Sequence, residues 1–106
     1  MAEKDENVVF IGEKPFMNYV TGVVMQFTNK GRKEVVIKAR GRFIARAVDV
    51  EQVVKNKFLK EQNVYTKEIK TSSEEFKNKE GRDVNVSAIE ITLAMPEKTQ
   101  ELINLS

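Results

Sequence analysis

Cysteine, histidine and tryptophan are all absent from this chain of 106 residues. Without cysteine there is no disulfide, no thiolate metal site and no thiol nucleophile. Without histidine the commonest general base and metal ligand is missing as well. No apolar run approaches the roughly 18–20 residues that cross a bilayer, so no membrane segment is expected. The opening MAEKDEN is acidic and does not read as a secretory signal. There is no internal repeat and no low-complexity stretch. These gaps argue against an enzyme, require no metal or cofactor, and favour a binding protein in a reducing compartment, the cytoplasm.

The residues that are present suit one folded domain. Apolar residues make up 41% and charged residues 32%, which gives a core with a busy surface. A second independent core would not fit this length. The net charge of +2 hides a pattern. Residues 1–6 sum to −2 and residues 97–106 to −1, so the stretch 7–96 keeps 16 basic and 11 acidic residues, a net of +5. The single domain is read as a basic core over 7–96 between acidic ends at 1–6 and 97–106. A basic body mildly favours a polyanionic partner; a solvated lysine-rich surface fits the same charges equally well.

Periodicity gives the elements. Val8-Val9-Phe10-Ile11 is a short apolar run fit for a buried strand, broken by Gly12. Pro15 suits a first helical position, and Phe16, Val20, Val23, Val24 and Phe27 then recur at helical spacing. Gly22 inside that helix predicts close packing against a neighbour, and Gly31 a left-handed stop. A second strand covers Glu34 to Ala39, with Val35, Ile37 and Ala39 on one face and Val36, Lys38 and Arg40 on the other. A second helix is expected from Phe43 to Lys60 along Phe43, Ala47, Val50, Val54 and Phe58, widened by Ile44 and Val48. Two more strands, Tyr65–Ser72 and Asn85–Ala94, flank the polar stretch SEEFKNKEGRD, the tip of a long hairpin. The tail to Ser106 is left open between a helical turn and a loose end. The order β-α-β-α-β-β predicts an α+β, two-layer sandwich: a mixed four-stranded sheet, two helices on one face, and a long closing hairpin.

The most informative segment is Lys38-Ala39-Arg40-Gly41-Arg42, where the second strand hands over to the second helix. Gly41 lets the backbone turn or approach a ligand closely. A cation at a helix start, such as Arg42, opposes the helix dipole and so answers to something outside the helix. Three cations around a glycine, beside free N–H groups, make a phosphate clamp; the alternative is a solvated basic turn. Lys14 sits at the start of the first helix, on the same predicted sheet edge, and can converge with this cluster. In the hairpin, Ser73–Asp83 holds three basic and four acidic residues, a poor overall probe for phosphates. Only Lys79 and Arg82 are taken there as contacts; Phe76 can wedge or stack. Phe58 continues the apolar stripe as core, with an exposed subunit contact as the alternative. The acids Asp49, Glu51 and Glu90 show no paired catalytic spacing and read as surface.

The strings IGEKPFMNYV, VVIKARGRFIARAVD, KNKFL and EGRDVNVSAIEI, in this order from about Asn7 to Ala94, resemble the Alba family of small archaeal chromatin proteins of the 10b type. The resemblance implies the same β-α-β-α-β-β fold, a homodimer and binding to double-stranded DNA on the chromosome or nucleoid, with RNA as a further target. It implies nucleic-acid contacts by Lys14, Asn18, Lys38, Arg40, Gly41 and Arg42, and by Arg82 in a hairpin arm laid along a minor groove. It implies dimer–dimer association on DNA through Lys57, Phe58 and Leu59, which shifts Phe58 from core to interface. Lysine acetylation, and hence a deacetylase partner, applies here only to Lys14. The family often has two adjacent lysines where this chain has Glu13-Lys14. An anion at that point predicts weaker duplex binding than the family norm. The competing functions are RNA binding that acts on RNA stability or processing, and a scaffold whose basic patch docks an acidic protein.

Overall fold

The computed structural model describes residues 6–97. Strand β1 (Val8–Phe10) leads into helix α1 (Phe16–Thr28), strand β2 (Glu34–Arg40) and a 3-10 turn (Gly41–Phe43). Helix α2 (Ile44–Val53) runs on into a π turn (Val54–Phe58), followed by strands β3 (Tyr65–Lys77) and β4 (Asp83–Ala94). The sheet order is β1-β2-β4-β3, with β1 parallel to β2 and both other pairings antiparallel. This is the mixed four-stranded, two-layer α+β fold expected from the alternation of periods. The tail beyond Glu97, and most of both acidic ends, lie outside the described residues.

The core forms where the helical and strand stripes meet. Val20, Val23 and Phe27 of α1 and Ala47, Val50 and Val54 of the second helical segment pack on Val35, Ile37 and Ala39 of β2 and Ile89, Ile91 and Leu93 of β4. Burying each such valine, leucine or isoleucine contributes about 1.5–3 kcal/mol. Val36, Lys38 and Arg40 face away from the helices, as the period of two requires. Gly31, at φ +64, takes the left-handed conformation that ends α1.

Four expectations are corrected. Gly22 does not mark a close approach, because a Cβ built there meets nothing within 4 Å. Val48 stands exposed rather than widening the apolar face. Glu51, read as surface, is only 3% exposed; its carboxylate accepts a hydrogen bond from the Thr66 hydroxyl and faces Lys55 Nζ at 3.8 Å, tying α2 to β3. A buried carboxylate that is hydrogen-bonded and paired avoids most of the penalty of burial.

The fourth correction concerns the end of the second helix. A regular helix would carry the stripe from Val54 to Phe58. Instead the Leu59 N–H donates to the Val54 carbonyl at 2.8 Å, five residues back. This inserts one extra residue into the turn. The core position passes to Leu59, 2% exposed, and Phe58 swings out to 49%. Leu59 therefore cannot share an outward surface with Lys57 and Phe58.

Candidate nucleic-acid interface

Parallel β1 and β2 deliver their chain ends to one edge of the sheet. The turn carrying Lys14 leaves β1 there, and Gly41 and Arg42 leave β2 there. The closing hairpin projects from the same edge. β2 ends where Arg40 pairs with Ala88, and Ala88 in turn pairs with Ser72. Beyond that point Ser73–Lys77 pair only with Asp83–Ser87, so about 17 Å of two-stranded ribbon extends past the end of β2. Ribbon alternation continues through polar residues, so both strands are longer than their apolar parts suggested. The tip is built on Asn78, whose Oδ1 accepts the N–H groups of Glu80 and Arg82 at 2.9 and 3.0 Å. This Asx-type turn needs Gly81 at φ +80. It carries Lys79 and Arg82 at the far end.

Arg42 lies in the 3-10 turn rather than in an α-helical first turn. Gly41 opens that turn at φ +55, and a Cβ there would meet Val86 Cγ2 at 3.3 Å. Glycine is thus required both by the backbone and by the hairpin packed against it. The guanidinium of Arg42 lies 4.4 Å from the Phe43 ring centroid, and Lys38 Nζ 5.8 Å from the Phe10 centroid. A cavity of about 450 Å³ opens among Phe10, Lys38, Arg40, Phe43, Glu74 and Glu90.

Each central cation has a carboxylate of its own. Arg42 donates to Glu13, Arg40 Nε lies 2.6 Å from Glu74, and Lys38 Nζ lies 3.9 Å from Glu90. On the hairpin, Lys77 pairs with Asp83 at 2.8 Å. Lys14, Lys79 and Arg82 have no carboxylate partner among the described residues. The pairs of the central cluster are solvated, not internal: Arg42 and Glu13 are 72% and 75% exposed. Exposed pairs contribute about 0–1 kcal/mol, so an incoming phosphate can exchange with them. Sequence reasoning missed this compensation because Glu74 and Glu90 are remote in the chain.

Asn18 is exposed in the first turn of α1, and Lys57 and Phe58 are exposed beside the π turn. At the opposite end of the sheet, Lys67 is the extra residue of a bulge between Thr66 and Glu68 and reaches Glu34. The hydrogen bond and charge of Glu34 raise its pKa above the ordinary 10.5. Among the described residues no group of three or more acidic, histidine or cysteine side chains could hold a metal, and no helix is long and apolar enough to cross a membrane.

The family profile described as Alba matches residues 7–73. The "DNA/RNA-binding protein Alba" of Methanocella arvoryzae is 51% identical over 92 residues, covering 87% of this chain and 93% of that protein. The "DNA/RNA-binding protein Alba 1" of Archaeoglobus fulgidus is 55% identical over 89 residues, covering 84% and 96%. Both are named for binding rather than for catalysis. The solved structure of Alba from Thermoplasma volcanium superimposes with a TM-score of 0.76 at 43% identity, over 83% of this chain and 99% of that one. The profile spans Lys14 and the Lys38–Arg42 cluster, and identity and fold agree with it: this chain belongs to the Alba family.

Proposed function

We propose that the chain is a non-catalytic nucleic-acid-binding protein, acting as a homodimer on double-stranded DNA of the chromosome. The observation that carries this reading is the shared edge: Lys14, the Lys38–Arg42 cluster and the hairpin all leave the sheet on one side. Regularly spaced phosphates along a strand are met by separated cations, which give affinity with little base readout. Lys14, Lys38, Arg40 and Arg42, with Asn18 and the Gly41 backbone, form the central contact, and Lys79 and Arg82 reach along a minor groove. The names of the relatives support nucleic acid as the ligand class.

The sheet face that the helices leave bare supports the dimer. Phe10 is 61% exposed there, next to Val8 and Val36. A second copy on this face would put two cationic edges on one surface. Phe58, exposed by the π turn, supports contact between neighbouring dimers together with Lys57. Lys14 is exposed and is the acetylation position; acetylation would remove its charge from the edge. The carboxylates of Glu13 and Glu74 support weaker, less salt-sensitive binding than in relatives with a lysine at the first position.

Competition between matched DNA and RNA duplexes at physiological salt, with light scattering of the free protein, tests the reading. Preferred binding of duplex DNA by a dimer is expected. Preference for RNA would favour the RNA-directed alternative. Binding only at low salt, with an acidic protein retained after nuclease treatment, would favour the scaffold.

A further inference from the structure

Arg46 is a cation of α2 that faces the cationic edge without joining it. Its Nη1 donates to the Gly12 carbonyl at 2.7 Å, and its guanidinium lies 5.7 Å from the Tyr19 ring centroid. Tyr19, buried in α1, accepts the Lys14 N–H on its hydroxyl at 2.9 Å. The turn between β1 and α1 is thus held at both ends: at Gly12 by α2 and at Lys14 by α1. The hold is close, since a Cβ at Gly12 would stand 3.4 Å from the same hydroxyl. The contact of Glu13 with Arg42 confirms that this turn lies against the Lys38–Arg42 cluster.

We propose that Tyr19 and Arg46 are positioning residues: they clamp the Gly12–Lys14 turn so that Lys14 is presented to phosphate beside Arg42. This rests on the nucleic-acid reading of the edge. Residues 12–15 belong to no helix or strand. A turn without element hydrogen bonds samples many conformations, and each one that removes Lys14 from the edge lowers its share of binding. Tyr19 supplies an acceptor to a backbone N–H that precedes the helix, and Arg46 supplies a donor to a backbone carbonyl. Tyr19 is buried, and Arg46 spends its Nη1 on the Gly12 carbonyl. The ring of Tyr19 and the aliphatic stem of Arg46 pack whether or not these hydrogen bonds form. Tyr19→Phe and Arg46→Gln therefore remove the clamp with little change to the core.

The test uses the full chain, a duplex DNA probe in fluorescence anisotropy over a salt series, and amide hydrogen exchange of the free protein. Tyr19→Phe and Arg46→Gln should each speed exchange of the Lys14 amide about tenfold or more, while the global melting temperature stays within a few degrees. Each should weaken duplex binding on the order of threefold, and reduce the salt slope by up to about one per copy, as Lys14→Ala does. In a Lys14→Ala background the same substitutions should have almost no further effect on binding. Wild-type exchange at Lys14 in both variants would overturn the clamp. So would a loss of affinity that persists in full without Lys14, which would make the effect merely structural. Failure of the unmodified protein to bind the probe would overturn the duplex-DNA reading instead, and the exchange data would still decide the clamp.

Discussion

Replacing Glu13 by glutamine removes the carboxylate that faces Arg42 while keeping the size of the side chain. Both partners are about three-quarters exposed, and exposed ion pairs contribute about 0.2–1 kcal/mol. Folding stability should therefore fall by no more than about 1 kcal/mol. Binding should respond more, because a phosphate at Arg42 currently displaces Glu13. Releasing that competition is a factor of about 1.4–5 for each copy engaged, or about two- to 25-fold for a dimer with both copies on DNA. The freed guanidinium also condenses onto phosphate with its own counterion release, steepening the log–log salt slope by up to about 0.9 per copy. The gain should shrink as salt rises, since a Debye length of about 8 Å screens exposed charges. Fluorescence anisotropy with a duplex between low and physiological salt reads all three effects. Glu13→Gln with unchanged or weaker affinity at low salt would refute the reasoning. Glu13 would then be holding Arg42 in a useful geometry, or Arg42 would not touch phosphate.

The π turn predicts opposite fates for adjacent residues: Leu59→Ala should cost about 2–5 kcal/mol in denaturant unfolding, whereas Phe58→Ala should leave unfolding almost unchanged and weaken only association between dimers on DNA. The two glycines in question should also diverge. Gly22→Ala, in open helical space, should raise stability by about 0.5–1 kcal/mol, and Gly41→Ala, at φ +55 against Val86, should lower it by about 1–3 kcal/mol in thermal or urea melts. The Lys67 amine should titrate above 10.5 by NMR and fall toward the ordinary value in Glu34→Gln. A raised lysine pKa means the fold favours the protonated form. Any stabilisation by this pair is therefore complete below the unfolded pKa and is lost as pH climbs through the folded one.

Period and punctuation carried most of the fold into view. The alternation at Val35, Ile37 and Ala39 and the helical spacing from Phe16 to Phe27 were enough to order the elements and to bring two helix starts to one edge. The hairpin was legible as a hairpin but not in its length, because Ser73–Lys77 extend the third strand with mostly polar, exposed residues that show no apolar alternation. Phe58 and Leu59 were not separable by periodicity: a single five-residue hydrogen bond exchanges their roles, and no local propensity marks it. Glu51 looked like surface because its partner Thr66 arrives from another element. The cations were legible as residues but not in their pairing, since Glu74 and Glu90 reach Arg40 and Lys38 only through strand register. The Tyr19 and Arg46 contacts to the turn were invisible because they depend on how two helices pack beside a loop.

A log–log plot of duplex affinity against salt bears most heavily on the shared cationic edge. With Lys14, Lys38, Arg40, Arg42, Lys79 and Arg82 of two copies on phosphate, the slope would approach about −11, and compensation by Glu13, Glu74 and Glu90 lowers its magnitude to about 5–11. Arg40→Ala should weaken binding to all sequences about equally and reduce the slope by about one per copy. A slope near zero, or one that Arg40→Ala leaves unchanged, would contradict phosphate binding by this edge.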